Sequence, residues 1–394
     1  MGDPHLGWPS SKSFSLTWKP GGDRLSPKAD GIFRGAMRLT ANHVTLLRLA
    51  LIPIPCALLL GGAVYKSLAL VFFVLVGLTD FLDGYLARKQ GPTTLGALID
   101  PLADKIFVAA MFVPLAYQGS VPLWMVWLVF IREYAVTELR TIHGAKKINF
   151  RTSELAKYKT TIQMIGGGVI ILNDIFGPNQ WVFFPLGGLF LFTVWVAWQV
   201  RQRGVKAGLR ALTFMVLVAW ALAMRWQFPY EDASWAIMAL VTSVTVMSGL
   251  HYGYHTWRLL GRELSLSSNW AEAAAFLGGT VIFPSIFLVA VGLPRVSIWL
   301  VLAVLASEMV IGGLNNLTAT SNTPMRYAPG KVRLAVVNGA GLLGVIFMAV
   351  GTGERYTELG HLAFCVSLLA SLAGCAKSLY IHRRTLMEIP AKAV

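Results

Sequence analysis

Residues 80–104 read DFLDGYLARKQGPTTLGALIDPLAD, and the four aspartates in that stretch, Asp80, Asp83, Asp100 and Asp104, decide how the chain is built. The sequence on both sides is apolar, so these acids lie in or at the edge of membrane helices. An ionised carboxylate there costs roughly 3 kcal/mol on insertion scales, and four together repel one another. The spacing i, i+3 for Asp80 and Asp83, and i, i+4 for Asp100 and Asp104, puts each pair on one helix face. A short polar link, Lys89 to Leu95, turns the chain between them. Both pairs therefore sit at similar depth near one end of an antiparallel helix hairpin. Divalent cations held by oxygen ligands offset both the burial and the repulsion. Four converging carboxylates can hold two such ions, the arrangement that clamps phosphoryl chemistry.

Outward from the hairpin the chain keeps the same character. Of 394 residues, 55% are hydrophobic and only 13% charged, a balance that points to lipid as the solvent. Apolar stretches of spanning length, about 20 residues each, predict an all-α polytopic bundle of twelve helices. They fall near 44–62, 66–88, 98–117, 120–139, 158–176, 181–200, 209–226, 234–256, 271–293, 297–316, 333–352 and 361–382. The net charge of +15 is not spread as a nucleic-acid surface would require. With twelve spans, 26 Lys and Arg fall on the side of the two termini; the other side has Lys66, Arg225, Arg295 and Arg355. That asymmetry predicts cytoplasmic termini and basic loops resting on anionic headgroups. Residues 1–40 have no apolar core of signal-peptide length and read as a cytoplasmic or interfacial segment. Cys56, Cys365 and Cys375 all fall in apolar spans, which argues for packing rather than a disulfide or zinc framework.

The residues between the aspartates suit one job. Gly84 lets a bulky group approach the backbone, Ala87 is small on the same helix, and Arg88 offers a planar fork for a pyrophosphate. Gly96, one turn before Asp100, keeps that face open. The run Asp80-x2-Asp83-Gly84-x2-Ala87-Arg88-x7-Gly96-x3-Asp100-x3-Asp104 resembles the signature of the CDP-alcohol phosphotransferases. The family has eight residues between the Arg and the second Gly, where this chain has seven. The resemblance implies transfer of a phosphoalcohol moiety from a CDP-alcohol to a hydroxyl, with release of CMP. It also implies two Mg2+ or Mn2+ ions on the four aspartates, with Asp104 as general base as well.

Other segments resemble parts of the same family. Asn42-x2-Thr45-x2-Arg48 followed by Pro53 is similar to the start of family enzymes; Asn42 and Thr45 are candidates for the nucleotide, with helix capping as the alternative for Asn42. Arg132-Glu133-Tyr134, Leu139-Arg140 and Lys157-x-Lys159-Thr160-x2-Gln163 are similar to the phosphatidylglycerophosphate synthase branch, which uses CDP-diacylglycerol and glycerol 3-phosphate. Where that branch commonly has Gly before the first Lys, this chain has Ala156. Arg132, Arg140, Lys157 and Lys159 would surround an anionic acceptor; the competing reading makes them ordinary positive-inside residues. Inositol phosphate, serine or phosphatidylglycerol are the alternative acceptors. The implied partners are CDP-diacylglycerol, a small phosphoalcohol and membrane lipids, with a second copy of the chain as a homodimer. The implied location is a bacterial inner membrane with the site facing the cytoplasm.

Thr245-x2-Ser248-Gly249-x2-Tyr252 resembles the family's last helix. The catalytic domain then spans 41–262, with an inserted helix pair at about 178–228. Residues 263–394 form a four-helix membrane region whose spacing suggests a degenerate repeat of the first four helices: Asn269 precedes Pro284 as Asn42 precedes Pro53, and Glu308 stands where Asp80 would. An unrelated appendage is the alternative. A cation transporter is the rival from another class, because intramembrane acids often mark ion paths. It predicts acids near the midplane and paired broken helices, whereas these acids lie toward one face.

Overall fold

The computed structural model describes residues 40–91, 93–147, 154–200, 205–260, 270–320, 331–351 and 353–387. Among them every regular element is helical. The order is α1 (Ala41–Leu51), α2 (Pro53–Leu59), α3 (Ala63–Gln90), α4 (Thr94–Tyr117), α5 (Leu123–Ala145), α6 (Glu154–Phe176), α7 (Phe183–Val200), α8 (Val205–Gln227), α9 (Tyr230–Leu260), α10 (Trp270–Leu277), α11 (Phe283–Val291), α12 (Ile298–Thr320), α13 (Lys331–Val350) and α14 (Glu354–Met387). The expected cytoplasmic segment, 1–39, lies outside the described residues.

Two expected helices are broken, and each break has a proline at its centre. Pro53 has no N–H to continue the α1 ladder, so α1 and α2 meet at Ile52, whose N–H still reaches the Arg48 carbonyl at 3.1 Å. In the ninth expected span, Pro284 follows a π-helical turn, Gly278–Ile282, which joins α10 to α11. There the Phe283 N–H reaches back five residues to the Gly278 carbonyl. Eight helical stretches of the described residues are long and apolar enough to cross a membrane. Helices α4 and α5 are not among them; α4 carries Asp100, Asp104 and Lys105, and α5 carries Arg132, Glu133, Glu138 and Arg140. Their polarity is thus concentrated at the residues of functional interest.

Helices α1 and α2 lie on α3 and α4, α3 lies on α6, and α9 fills the space against both α5 and α6. Helices α7 and α8 pack mainly on each other, joined to the rest through α8. The last four helices are not detached: α12 lies along α4 and α5, α14 packs on α12, and α13 packs on α14 and α11. One continuous apolar core runs from Phe112 and Phe130 to Phe283, Phe287 and Phe364. Outward, Trp195, Trp198, Phe184, Leu191 and Leu369 are exposed, as side chains that meet lipid should be.

Lipid removes the hydrophobic drive for helix association, so close contact depends on small residues. A Cβ on Gly249 of α9 would stand 2.7 Å from Arg132 Cγ, and one on Gly166 of α6 would stand 2.4 Å from Val241 Cγ2. Gly188 on α7 meets nothing within 4 Å. Gly249→Val is therefore expected to destabilise the purified protein by about 1–3 kcal/mol, read as a lower thermal midpoint in detergent, whereas Gly188→Val should leave that midpoint within error.

Candidate active site

Helix α1 supplies the two side chains that gather the aspartates. The Thr45 hydroxyl lies 3.1 Å from Asp83 Oδ2 and 3.1 Å from Asp100 Oδ1, linking α3 to α4. One turn on, the Arg48 guanidinium places Nη1 2.6 Å from Asp80 Oδ1 and 3.8 Å from Asp104 Oδ1, and Nη2 3.1 Å from Asp83 Oδ2. All four predicted aspartates thus converge on two adjacent turns of α1. The arrangement is deep on one side and open on the other: Arg48 is 2% exposed and Asp83 7%, but Asp80 is 47% and Asp104 38%.

Of the two glycines, Gly84 lies on an open face as expected, whereas Gly96 does not. Gly84 faces open space, with nothing within 4 Å of a Cβ built on it. Gly96 is hemmed in: a Cβ there would lie 2.9 Å from Thr93 Oγ1 and 3.0 Å from Asn42 Oδ1. Thr93 caps α4 by accepting from the Gly96 N–H at 2.9 Å, and its hydroxyl donates to Asn42 Oδ1 at 2.9 Å. Asn42 therefore fixes the start of α4 and, through it, the height of Asp100. The side chains of Ala87, Arg88 and Lys157 lie outside the described residues.

Beyond Asp104 comes a second polar cluster. Glu133 accepts from Lys159 in a short contact and from Arg132 Nη1 at 3.3 Å, and Arg132 Nη2 donates to Ser248 Oγ of α9 at 2.8 Å. Lys105, the residue after Asp104, donates to Thr137. The Arg140 guanidinium carbon lies 6.0 Å from the centre of the Tyr252 ring. Gln163 donates to Thr245 Oγ1 at 3.2 Å. Arg132, Arg140 and Lys159 are thus anchored along the α5, α6 and α9 walls, and Arg132 and Lys159 meet on Glu133. Sequence reasoning left Glu133 and Lys105 out of the site. The signals were present: a lysine directly after the last aspartate, and an acid inside a helix otherwise supplying arginines.

Among the described residues no three acidic, histidine or cysteine side chains stand close enough to hold a metal by themselves; Arg48 lies among the aspartates instead. The donor set nonetheless fits hard divalent ions, which take carboxylate oxygens. Four carboxylates share one buried monocation; Asp83 is buried, Asp80 and Asp100 are exposed and Asp104 is partly so.

Comparison with known proteins agrees with this geometry. The sequence profile described as CDP-alcohol phosphatidyltransferase matches residues 38–200. A CDP-diacylglycerol--glycerol-3-phosphate 3-phosphatidyltransferase of Bacillus subtilis (strain 168) is 33% identical over 185 residues, which is 42% of this chain and 95% of that protein. The chain belongs to the CDP-alcohol phosphatidyltransferase family. Members of the family are membrane-embedded, generally depend on a divalent metal, and act on a CDP-alcohol and an alcohol acceptor. A protein of the same name from Rickettsia typhi (strain ATCC VR-144 / Wilmington) is 34% identical over 140 residues, 35% of this chain and 79% of its own. A probable phosphatidylglycerophosphate synthase of Mycobacterium tuberculosis (strain ATCC 25618 / H37Rv) is 35% identical over 143 residues, 35% of this chain and 68% of its own. No solved structure matches the chain. The family match ends at residue 200, in α7, yet the helix that bonds to Arg132 and Gln163 is α9.

Arg48 shares the aspartates with any metal that binds there. Arg48→Gln is expected to lower the thermal midpoint of metal-free protein and to enlarge the rise in midpoint on adding Mg2+ or Mn2+. An unchanged or smaller rise would show that Arg48 belongs to the metal-loaded arrangement.

Proposed function

We propose that this enzyme moves the phosphatidyl group of CDP-diacylglycerol to glycerol 3-phosphate, giving phosphatidylglycerophosphate and CMP. The observation that carries the reading is the buried group of cations, Arg132, Lys159 and Lys105, beside an aspartate cluster of this family's pattern. Arg140, at the Tyr252 ring, and Lys157 complete the acceptor set. An acceptor bearing a phosphate matches such a set, and the relatives named for glycerol 3-phosphate support it. An uncharged acceptor would leave Glu133 as the one acid against this group of cations.

In this scheme the acceptor hydroxyl oxygen bonds to the phosphorus that carries the diacylglycerol. The pyrophosphate P–O bond breaks and its electron pair leaves on CMP. Asp104 receives the hydroxyl proton; it is half-open, beside Lys105, and faces both the nucleotide side and the acceptor side. Asp80, Asp83, Asp100 and Asp104 would hold two Mg2+ or Mn2+ ions, which when bound would neutralise the pyrophosphate and polarise the transferred phosphoryl group. Gly84, with its open face, admits the CDP moiety next to Ala87 and Arg88. Thr45 and Asn42 keep Asp83, Asp100 and the start of α4 in register behind it.

The same reading places both termini and the site on the cytoplasmic face of a bacterial inner membrane, in a twelve-span homodimer. Residues 41–262 form the catalytic domain, with α7 and α8 as the inserted pair. The packing of α9 between α5 and α6 supports that division. The basic asymmetry supports the topology, which predicts that a cysteine probe at Gly353 labels from outside and one at Ala145 does not.

Three further outcomes are expected. Chelation should abolish CMP release, and Asp83→Asn or Asp104→Asn should abolish it while the protein still inserts. Arg140→Ala should raise the KM for glycerol 3-phosphate about ten- to hundredfold, the loss of one charge-assisted contact. The KM for CDP-diacylglycerol should hardly move, and a normal acceptor KM in that variant would point to another acceptor.

A further inference from the structure

A cavity of about 490 Å³ lies where the last four helices meet the catalytic part. It is separate from the open face of the aspartate cluster, none of whose four carboxylates lines it. One wall is α5, from Glu133 and Tyr134 through Thr137, Glu138 and Thr141 to Ala145. That run of helix is about 18 Å long at 1.5 Å per residue. The opposite wall comes from the C-terminal third, with Phe276, Phe283, Met309 and Leu334 as its apolar part, and Glu308, Lys331 and Arg333 as its charged part.

Two of the three acids that line the cavity are already answered by cations. Glu308 is answered by Arg333 and by the Ser371 hydroxyl, which donates at 2.6 Å. Glu133 is answered twice, by Lys159 and Arg132. Lys105, Lys331 and Arg333 line the cavity against Glu133, Glu138 and Glu308; with Arg132 and Lys159, which stand behind the lining on Glu133, positive charge around the mainly apolar hollow exceeds negative by two. The buried Nε of Arg333 has no hydrogen-bond partner. A volume in the range of small-molecule sites, apolar walls along a helix, and surplus cations at the same place define a receptor for an anionic amphiphile.

We propose that this cavity binds an anionic phospholipid, with its phosphate at Lys331 and Arg333 and the upper part of one acyl chain against Phe276, Phe283 and Met309. The site is built jointly by α4, α5 and the C-terminal third, so it exists only in a chain that carries that third. Lys105 and Glu133 border both this cavity and the acceptor cluster. An occupant would therefore bear on the groups that hold the acceptor, without touching the aspartates.

The test uses delipidated full-length protein in detergent, with native mass spectrometry of bound lipid. Dioleoyl phosphatidylglycerol and dioleoyl phosphatidylcholine are compared, each with and without added glycerol 3-phosphate. One tightly retained phosphatidylglycerol per chain is expected, not displaced by glycerol 3-phosphate, with phosphatidylcholine at least about tenfold weaker, the scale of a charge-assisted contact. Lys331→Glu should weaken retention by a similar factor, and Ala275→Trp, which fills the cavity at the α10 wall, should abolish it. Both variants should still release CMP in lipid-free micelles. Equal retention of the two lipids, or unchanged retention in both variants, overturns the proposal. Displacement of the lipid by glycerol 3-phosphate also overturns it, by assigning the cavity to the free phosphate. None of the retention ratios between the two lipids depends on which acceptor the enzyme uses, and the acceptor KM of Arg140→Ala tests that reading separately.

Discussion

Everything near the reaction centre depends on how a single arginine in α1 holds four carboxylates in place. Arg48 is almost fully buried, and its two terminal nitrogens reach Asp80, Asp83 and Asp104, while Thr45 one turn earlier takes up Asp83 and Asp100. Without such a clamp the aspartates of α3 and α4 would repel across the hairpin at a cost that burial makes larger. The clamp is incomplete by design of charge: one cation against four anions leaves the cluster strongly acidic. Asp80 is both bonded to Arg48 and 47% exposed, so part of the negative charge lies on the open side of the cluster.

The cationic cluster beyond Asp104, the proposed acceptor side, is organised on the opposite principle. There one acid, Glu133, holds an excess of cations at fixed positions, with Ser248 of α9 restraining Arg132 from behind. An acid inside a cationic pocket lowers the mutual repulsion of the lysine and arginines while leaving net positive charge for a phosphate. The two halves meet at consecutive residues, Asp104 and Lys105, one turned to the aspartates and the other to Thr137. Placing opposite charges on one turn of α4 brings an anionic acceptor and a metal-binding cluster within the reach of a single helix.

The hairpin was legible because its signal is local. The pairs Asp80–Asp83 and Asp100–Asp104 carry helical spacing in four letters, and intramembrane acids are too costly to be incidental. The prolines were legible as residues but not as breaks, since Pro53 and Pro284 interrupt helices whose apolar runs continue across them. Partners distant in sequence were less readable. That Arg48 answers Asp80, or that Glu308 answers Arg333 and Ser371, follows only once helices far apart in the chain are packed. The same holds for α9. Its short polar motif pointed to the last helix of the family, but what distinguishes it from α7 is close approach, Gly249 against Arg132 and Val241 against Gly166, which no hydropathy profile records.

The C-terminal third shows why a membrane appendage need not be a passive one. Two helices in lipid gain little from burying apolar surface against each other, so an interface persists through close contact and polar pairing. Helix α12 meets the catalytic part with Gly312 and Gly313, where an added Cβ would stand 3.3 Å from Thr137 Cγ2 and 3.0 Å from Leu98 Cδ1. Tyr134 of α5 donates to the Leu305 carbonyl at 2.9 Å, and Trp127 to Ser285 Oγ at 2.8 Å. Thr137 is also the residue that receives Lys105. A displacement of α12 is therefore felt two contacts away from Asp104, through Thr137 and then Lys105, along bonded and packed side chains rather than through distance alone. Helices that lie outside the family match are joined by this route to Asp104.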